Sequence, residues 1–567
     1  MSRLIFDLEA NGLNELVLDR KGNPHTEADC IHVMVTKDID TGSVAVYRED
    51  HIMDGIRSLC NADLIIGHNV ILYDIPILQR NAYYIPTKVF DTLIISRMMF
   101  PDKSNHPLGG NSLKAWGDYL GEAKSDYTGG WEKWSQEMED YCIQDVHVTE
   151  KVFRYQLEFL QKNEKPVRLE HMVTRIIADQ IENGFGFDLS AAQQLERELM
   201  YEKASVEDSM REIFPDKVHV RISDKTGKRL KDKVEVFNPG SRQQIGDRLN
   251  NKYGWSPPLT DKGNYNIDTT VLKSLDFPEA KELCTYFDTT KLISQVSDWV
   301  TRASHSRDGR IHGGLNPQGT VTGRMTASQP NLQQVSGDPR ARALFIPRDG
   351  WVEVGIDASG LEARLLASRM AEFDGGAYAD VVLNGDIHTT NQEAAGLDTR
   401  DQAKTFFYGF IYGAGNKKIG EIVGRGETAG SRLKKTFLKG LPALKKVMDR
   451  ARVSADIRKS VTLLDGRSVP VRSAHKALNT QLQGDGAIVM KLAQCILSEK
   501  IKQNELTDKA KFMATVHDEW QLECTPDCAD QVGQLGVTSI IESGERLKCR
   551  MPMDGEYKIG KNWSECH

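Results

Sequence analysis

The chain begins with a short apolar run, Arg3-Leu-Ile-Phe-Asp7-Leu-Glu9, that predicts a strand; its two carboxylates, two residues apart, fall on one face. Helical and strand patterns then alternate through Leu160. From Pro166 to about Thr301 the spacing of apolar positions is mainly helical, broken by a polar segment from Pro215 to Pro239 whose Asp-Lys-Thr-Gly turn predicts a loop or hairpin. Trp351-Val-Glu-Val-Gly-Ile356 alternates as a strand, and the four-residue steps Leu361 to Leu365 and Leu366 to Met370 predict a helix behind it. Residues from about Phe373 to Asp456 read as helices. Beyond Ser460 strands return around a long apolar helix near Ile488 to Leu497, and no internal repeat or low-complexity tract appears.

Within the helical block, Arg400, Lys404, Tyr408 and Tyr412 recur every four residues. A four-residue step drifts only about 40° around a helix, so the four side chains form one stripe, cations first and rings after. A polyphosphate can lie against the cations while a base or sugar packs on the rings. Taken alone, such a stripe is more often a basic amphipathic helix with an aromatic core side.

At 567 residues and 40% hydrophobic content the chain should hold several domains. It has no signal-like apolar N-terminus and no apolar run long enough to span a bilayer, so a cytoplasmic protein without membrane contact is expected. The nine cysteines show no double Cys-x-x-Cys pattern; Cys524 and Cys528, the nearest pair, read as ordinary reduced thiols. The formal charge of −7 does not advertise a polyanion partner, but it averages over domains. Seven Lys or Arg stand against two acids between Lys217 and Lys233, and ten against two between Ser431 and Ser460. Such runs are commonly solvated faces; beside a triphosphate-type helix, tracking of a phosphate backbone is the better use.

The flanks of the stripe carry the chemistry. Asp357-Ala-Ser-Gly-Leu-Glu362-Ala-Arg364 lies upstream, and His517-Asp518-Glu519 lies downstream between apolar runs, as expected of a hairpin that lifts carboxylates into a cleft. An isolated His-Asp-Glu is an ordinary turn; the ordered set is specific. Together with Arg400 to Gly413 these segments resemble motifs A, B and C of the family A (Pol I-type) DNA polymerases, most closely the compact replicative branch encoded by phages. The resemblance runs from Asp7 to the terminal Trp563-Ser-Glu-Cys-His567 and is weakest between about 190 and 235. It implies an α/β and α+β multidomain protein: an RNase H-like 3′-5′ exonuclease domain over 1–160, a thumb and connecting helices over 161–310, palm over 311–372 and 457–567, and fingers over 373–456.

The same resemblance assigns roles. Asp357 and Asp518 would hold two Mg²⁺ ions, with Mn²⁺ as a substitute, because phosphoryl transfer develops charge on several oxygens at once, and Glu519 would be a further catalytic acid. Arg400, Lys404 and His388 would hold the triphosphate of an incoming deoxynucleotide, Lys404 also donating a proton to the leaving pyrophosphate. Tyr412 would shape the base-pair pocket, and Glu362 would close the space beside the sugar 2′ position; otherwise Glu362 would be an i, i+4 partner for a helix cation. Tyr408 stands where other members carry Phe, which implies weak exclusion of dideoxynucleotides. Arg324 in Thr322-Gly323-Arg324, Gln334 in Asn331-Leu-Gln-Gln334, Gln483 in Asn479-Thr-Gln-Leu-Gln483, and His517 would contact primer-template DNA, where minor-groove acceptors report pair geometry without sequence. For Asn479, capping or loop bonding is an equally good reading.

Asp7, Glu9, Asp74, Tyr141 and Asp145 resemble the acids and tyrosine of the proofreading exonucleases. Converging carboxylates would repel one another unless cations sat among them, so a second two-metal centre is implied, with Tyr141 orienting the attacking water. A replicative helicase would be a partner. Some phage relatives carry a long thumb insertion that recruits a processivity protein; the corresponding segment here, about Phe214 to Val236, is short, so such a partner is not expected, and its basic residues would touch DNA directly. A nuclease with a degenerate polymerase body should lack an acid at 357 or 518. A single-subunit RNA polymerase should lack Glu362 and the exonuclease acids, and a structural DNA-binding protein needs neither centre.

Overall fold

The computed structural model describes residues 2–13, 28–82, 88–122 and 127–567. The chain divides into two compact units, one of Met1–Gly186, His312–Gln334 and Ile346–His567, the other of Phe187–Ile311 and Val335–Phe345.

The first unit opens with strands β1 (Arg3–Ala10), β2 (Ile31–Asp38), β3 (Val44–Arg48), β4 (Leu64–Gly67) and β5 (Val89–Asp91). They form a mixed sheet in the order β3-β2-β1-β4-β5; β1 runs antiparallel to β2 and parallel to β4. Alternation along β1 splits its side chains between two cores. Leu4, Phe6 and Leu8 face one, whereas Ile5 joins Met138, Cys142 and Val146 of helix α1 (Gln136–Lys162) in the other. Asp7 and Glu9 continue the face of Ile5, which is why they meet α1. The Ser135 hydroxyl caps α1 by accepting from Met138 N. Helix α2 (Glu164–Asn183) follows, with Pro166 in its first turn.

In the second unit, helices α3 (Leu189–Ile213) and α4 (Pro278–His305) pack on each other, and Met210, Phe214, Phe237, Leu249 and Leu283 share a core. The polar segment after α3 is a hairpin: Lys217–His219 pairs with Lys233–Glu235, and Ile222 bridges Arg229.

The rest of the first unit is built on β6 (Val352–Ala358), with helices α5 (Leu361–Asp374), α6 (Arg400–Ile411) and α7 (Ala477–Gln503), strands β7 (Ala510–Val516) and β8 (Glu519–Cys524), helix α8 (Ala529–Arg546) and β9 (Gly555–Gly560). The strands form an antiparallel sheet, β7-β8-β6-β9. Helix α8 packs on β6 and β9, and α7 packs on α8. No described helix is long and apolar enough to cross a membrane.

Candidate active sites

Asp357 is the sixth residue of β6 and pairs in register with Glu519, the first residue of β8. Only His517 and Asp518 separate β7 from β8, a turn tight enough that His517 takes φ +57°, rare for a non-glycine residue. The Asp518 carbonyl accepts from Ala358 N at 3.1 Å, which fixes this turn to the end of β6 and sets the two aspartates side by side. Burial, then Asp518 and Glu519, push the Asp357 carboxyl up to about 7. Asp518 is raised as well, first by burial and then by Glu362, against the pull of His517 and Arg324. Two half-buried carboxylates that resist ionising together are a donor set suited to a divalent cation. Glu519 is different: Trp563 Nε1 donates to its Oε1 at 2.8 Å, Gln521 Nε2 donates to the same oxygen, and His567 Nδ1 lies 3.0 Å from Oε2. Both its oxygens are engaged by neighbours on the strand and the C-terminal segment.

A cavity of about 160 Å³ opens beside this pair, and Arg324, Glu362, Tyr412, His517 and Asp518 line it. Each arrives by a local device. Gly323 takes φ +79° in the turn Thr320–Gly323, a conformation open to glycine, and Arg324 follows it. Gly360, at φ +59°, starts α5, so Glu362 falls in that helix's first turn, where a negative charge is favoured. Tyr412 caps the C-terminus of α6. The Tyr412 hydroxyl and Arg324 Nη2 both donate to Glu362 Oε1 at 3.0 Å. Glu362 is thus held by two residues distant in sequence and not by an i, i+4 cation.

On α6 the predicted stripe is present, capped by the Thr399 hydroxyl, with the Tyr408 and Tyr412 rings 6.4 Å apart and stacked. His388 stands 6.3 Å from the Tyr408 ring and is held below its ordinary pKa by burial and then by Arg400, so it is neutral near pH 7. The stripe does not present two equal cations. Arg400 donates through Nε and Nη2 to Asp386, at 2.6 and 3.2 Å, whereas among the described residues Lys404 makes no ion pair.

At the N-terminal sheet, Asp7, Glu9, Asp74 and Asp145 come together. Asp74 begins the helix Asp74–Ala82 and accepts from Leu8 N at 3.2 Å, on the backbone between the two β1 acids. It is almost fully buried, and burial together with Asp91 and Asp145 holds its carboxyl well above the usual range. Tyr141 and Asp145 lie one turn apart on α1, Asp145 buried. Four acids in so dry a pocket also form a donor set that fits divalent ions.

Residues 212–565 match the family profile "DNA polymerase family A". The chain is 32% identical to the DNA-directed DNA polymerases of Enterobacteria phage T3 and Escherichia phage T7, each over the full length of both chains. The chain belongs to DNA polymerase family A. It is 25% identical to DNA polymerase I of Aquifex aeolicus over 98% of both. Its fold is that of the solved structure titled "POL domain of Pol1 from M. smegmatis complex with DNA primer-template and dNTP", with a TM-score of 0.78, 17% identity and coverage of 99% of this chain and 96% of that one. Polymerases of this family are metal-dependent.

Other expected contacts of the polymerase are distributed unevenly. His517 and Arg324 line the cavity, and so does Gln333, one residue before the expected Gln334; its Nε2 reaches Thr515 O at 3.5 Å. Gln483 is half-buried on α7 and is not among the cavity-lining residues. Asn479 Nδ2 donates to Ile411 O at 3.1 Å, satisfying a terminal carbonyl of α6. The cavity also holds a residue that sequence reasoning passed over. Lys491 is buried in α7, where Nζ donates to both oxygens of Glu170 at 2.7 and 2.8 Å, and Arg467 Nη1 reaches the same carboxylate. Removing Glu170 would leave Lys491 buried without its carboxylate, at a cost of about 3–5 kcal/mol, while Arg467 keeps Asp465. The available signal was a lysine inside a long helix with an apolar run around it.

Proposed function

We propose that Asp357 and Asp518 hold the divalent ions with which this DNA-directed DNA polymerase extends a primer, and that Asp7, Glu9, Asp74 and Asp145 hold those of a 3′-5′ proofreading exonuclease. Mg²⁺ is the proposed ion in both centres, with Mn²⁺ as a substitute; bound there, it stabilises charge developing on the phosphate oxygens. The observation that carries the reading is the cavity in which Asp518, Glu362, Tyr412 and Arg324 converge.

The chain's own groups divide the work. Lys404, free of an ion pair among the described residues, receives the triphosphate and donates a proton to the departing pyrophosphate. Arg400 must first loosen its pair with Asp386, and this exchange couples triphosphate arrival to the position of α6. Neutral His388 adds a hydrogen bond without a second charge. Glu362, braced by Tyr412 and Arg324, blocks a 2′-hydroxyl; Tyr412 meanwhile floors the pair, and the Tyr408 hydroxyl lies where a 3′-hydroxyl is missing from a dideoxynucleotide. Arg324, Gln334, Gln483 and His517 contact the primer-template. In the N-terminal centre Tyr141 orients the attacking water. The hairpin at Lys217–Glu235 supplies exposed Lys225, Lys228 and Lys231 to DNA and replaces a thumb-bound processivity factor. A replicative helicase is the proposed further partner, in the cytoplasm of a host cell.

Primer extension with deoxy- and ribonucleotides tests the division. The Asp518→Ala protein should lose synthesis and keep primer degradation, and Asp7→Ala should do the reverse. Loss of synthesis in Asp7→Ala, with degradation intact, would refute it.

A further inference from the structure

Among the described residues, Asp7, Glu9 and Cys142 are the one group of three or more His, Cys, Asp or Glu side chains whose donor atoms all lie within 4.8 Å of one another. The third member is a sulfur, which the reading of the centre as a set of carboxylates does not use. We propose that Asp7, Glu9 and Cys142 form a mixed oxygen–sulfur site that takes a thiophilic divalent ion, Zn²⁺ or Cd²⁺, more tightly than the carboxylates alone would.

Cys142 lies between Tyr141 and Asp145 on α1, on the face that carries Met138, Asp145 and Val146 toward β1. It is fully buried and packed with Ile5, Met138 and Val146, so the sulfur has a fixed place at the edge of the acids. The thiol donates to Asp7 Oδ2 at 3.5 Å. In a tetrahedral site with bonds of about 2.0 to 2.3 Å, neighbouring donors stand about 3.6 Å apart. An octahedral oxygen site for a small hard ion, with bonds of about 2.1 Å, brings them to about 3.0 Å. The three donor atoms, within 4.8 Å of one another, are near enough for one ion to gather them in the tetrahedral arrangement.

Donor softness points the same way, because a thiolate favours zinc-like ions over those that prefer oxygen alone. On binding, the proton now shared between Sγ and Oδ2 leaves to solvent and the ion takes its place, so the charge of the cluster is met without moving the backbone. Asp7 is only partly buried, which leaves an entry path. The consequence is that a thiophilic ion would occupy the corner of the centre where trimming is proposed and suppress it, while extension in the palm continues.

The binding step overlaps the proposed exonuclease centre but needs only these three side chains, so the two ideas fail separately. The test is cadmium titration of the full chain, followed by sulfur-to-cadmium ultraviolet absorption and by competition with a chromophoric chelator, for the parent, Cys142→Ser, Cys142→Ala and Asp7→Asn. The parent should show one more saturable cadmium–sulfur equivalent than either Cys142 variant. Its affinity should exceed theirs by about tenfold or more, with Asp7→Asn also weakened. Circular dichroism melts identify whichever Cys142 variant remains folded. Equal absorption and affinity in the parent and the folded Cys142 variant would overturn the site, as would full-strength cadmium binding in Asp7→Asn. Cadmium binding at Cys142 in a parent that does not degrade primers in Mg²⁺ would sink the exonuclease reading and leave this one standing.

Discussion

At the N-terminal sheet, Asp7 and Glu9 project from one face of β1 toward Asp74 and Asp145, and Asp74 and Asp145 are nearly shut off from solvent. In the proposed palm, Asp357 lies beside Asp518, which lines a cavity with Glu362 and Tyr412, and the third acid, Glu519, is held by Trp563, Gln521 and His567. Both centres draw their carboxylates from regular elements or the turns between them: β1 carries Asp7 and Glu9, a helix start carries Asp74, α1 carries Asp145, and β6 and the turn before β8 carry Asp357 and Asp518. They differ in how many of those carboxylates remain to be neutralised by a cation. In the N-terminal centre Leu8 N donates to Asp74 and the Cys142 thiol to Asp7. The palm has a C-terminal segment folded against it that supplies donors to one acid and leaves two. A count of acids in sequence therefore does not show which of them the fold has already engaged.

The sharpest way to break this comparison is to neutralise one acid in each centre without changing its size. Asp145→Asn should cut primer degradation by about a thousandfold, the scale of losing several kcal/mol of transition-state stabilisation. Glu519→Gln should reduce extension by only about tenfold and lower the melting temperature, because its main work is accepting from Trp563 and Gln521. Single-turnover rates for both reactions decide the matter. A thousandfold loss of extension in Glu519→Gln at an unchanged melting temperature would show that the palm uses three acids as ligands.

The next largest effect concerns selectivity, which the palm has and the N-terminal centre does not need. Removing Glu362 takes away the acceptor of the Tyr412 hydroxyl and Arg324 and, on the proposed reading, opens the space beside the sugar 2′ position. Glu362→Ala should therefore raise ribonucleotide incorporation relative to deoxynucleotide by about a hundredfold. Tyr412→Phe, which removes one brace and keeps the ring, should give a smaller rise in the same direction. No change in the ratio for Glu362→Ala would remove the barrier from this residue. Tyr408→Phe should strengthen discrimination against dideoxynucleotides by about tenfold or more in competition assays. Equal discrimination by the parent and Tyr408→Phe would dismiss the hydroxyl.

These features were legible in sequence to different depths, and the depth follows the range of the interaction. The strand at Asp7 and Glu9, the helix at Arg400 and the turn at His517-Asp518 are local patterns of period two, four or one, so spacing alone exposed them. The pairing of Arg400 with Asp386 was hidden because fourteen residues separate them and nothing in either segment announces the other. The Lys491 to Glu170 pair spans 321 residues and joins α2 to α7; only the oddity of a lysine in an apolar helix hinted at it. Cys142 was passed over because cysteines were searched for by their spacing to one another, whereas its partners are carboxylates on β1. Glu519 was legible as an acid beside Asp518, but its bonds to Trp563 and His567 were hidden because those partners lie more than forty residues away.

The smallest effect is thermodynamic and separates the centres by pH. In the folded chain without ions, the Asp357 carboxyl is raised to about 7 and Asp74 is also raised, both chiefly by burial, whereas unfolded aspartate ionises near ~4. A raised carboxyl binds its proton more tightly when folded, so its contribution to stability is complete below about pH 4 and is lost as pH climbs through the folded value. Chelator-treated protein should melt at progressively lower temperature from pH 5 to pH 8. Divalent ions bind the ionised forms, so Mg²⁺ should raise the melting temperature more at pH 8 than at pH 5, by about 2–4 °C for each kcal/mol gained. Asp357→Asn and Asp74→Asn should each flatten part of this slope. Because Asp74 is the more deeply buried, its variant should flatten more of it and should recover more of the stability lost at pH 8. If the ion-dependent shift were the same at both pH values, or survived in the double variant, the carboxylates would be paired in the folded chain by some group other than a cation, and the contrast between a closed and an open centre would rest on burial alone.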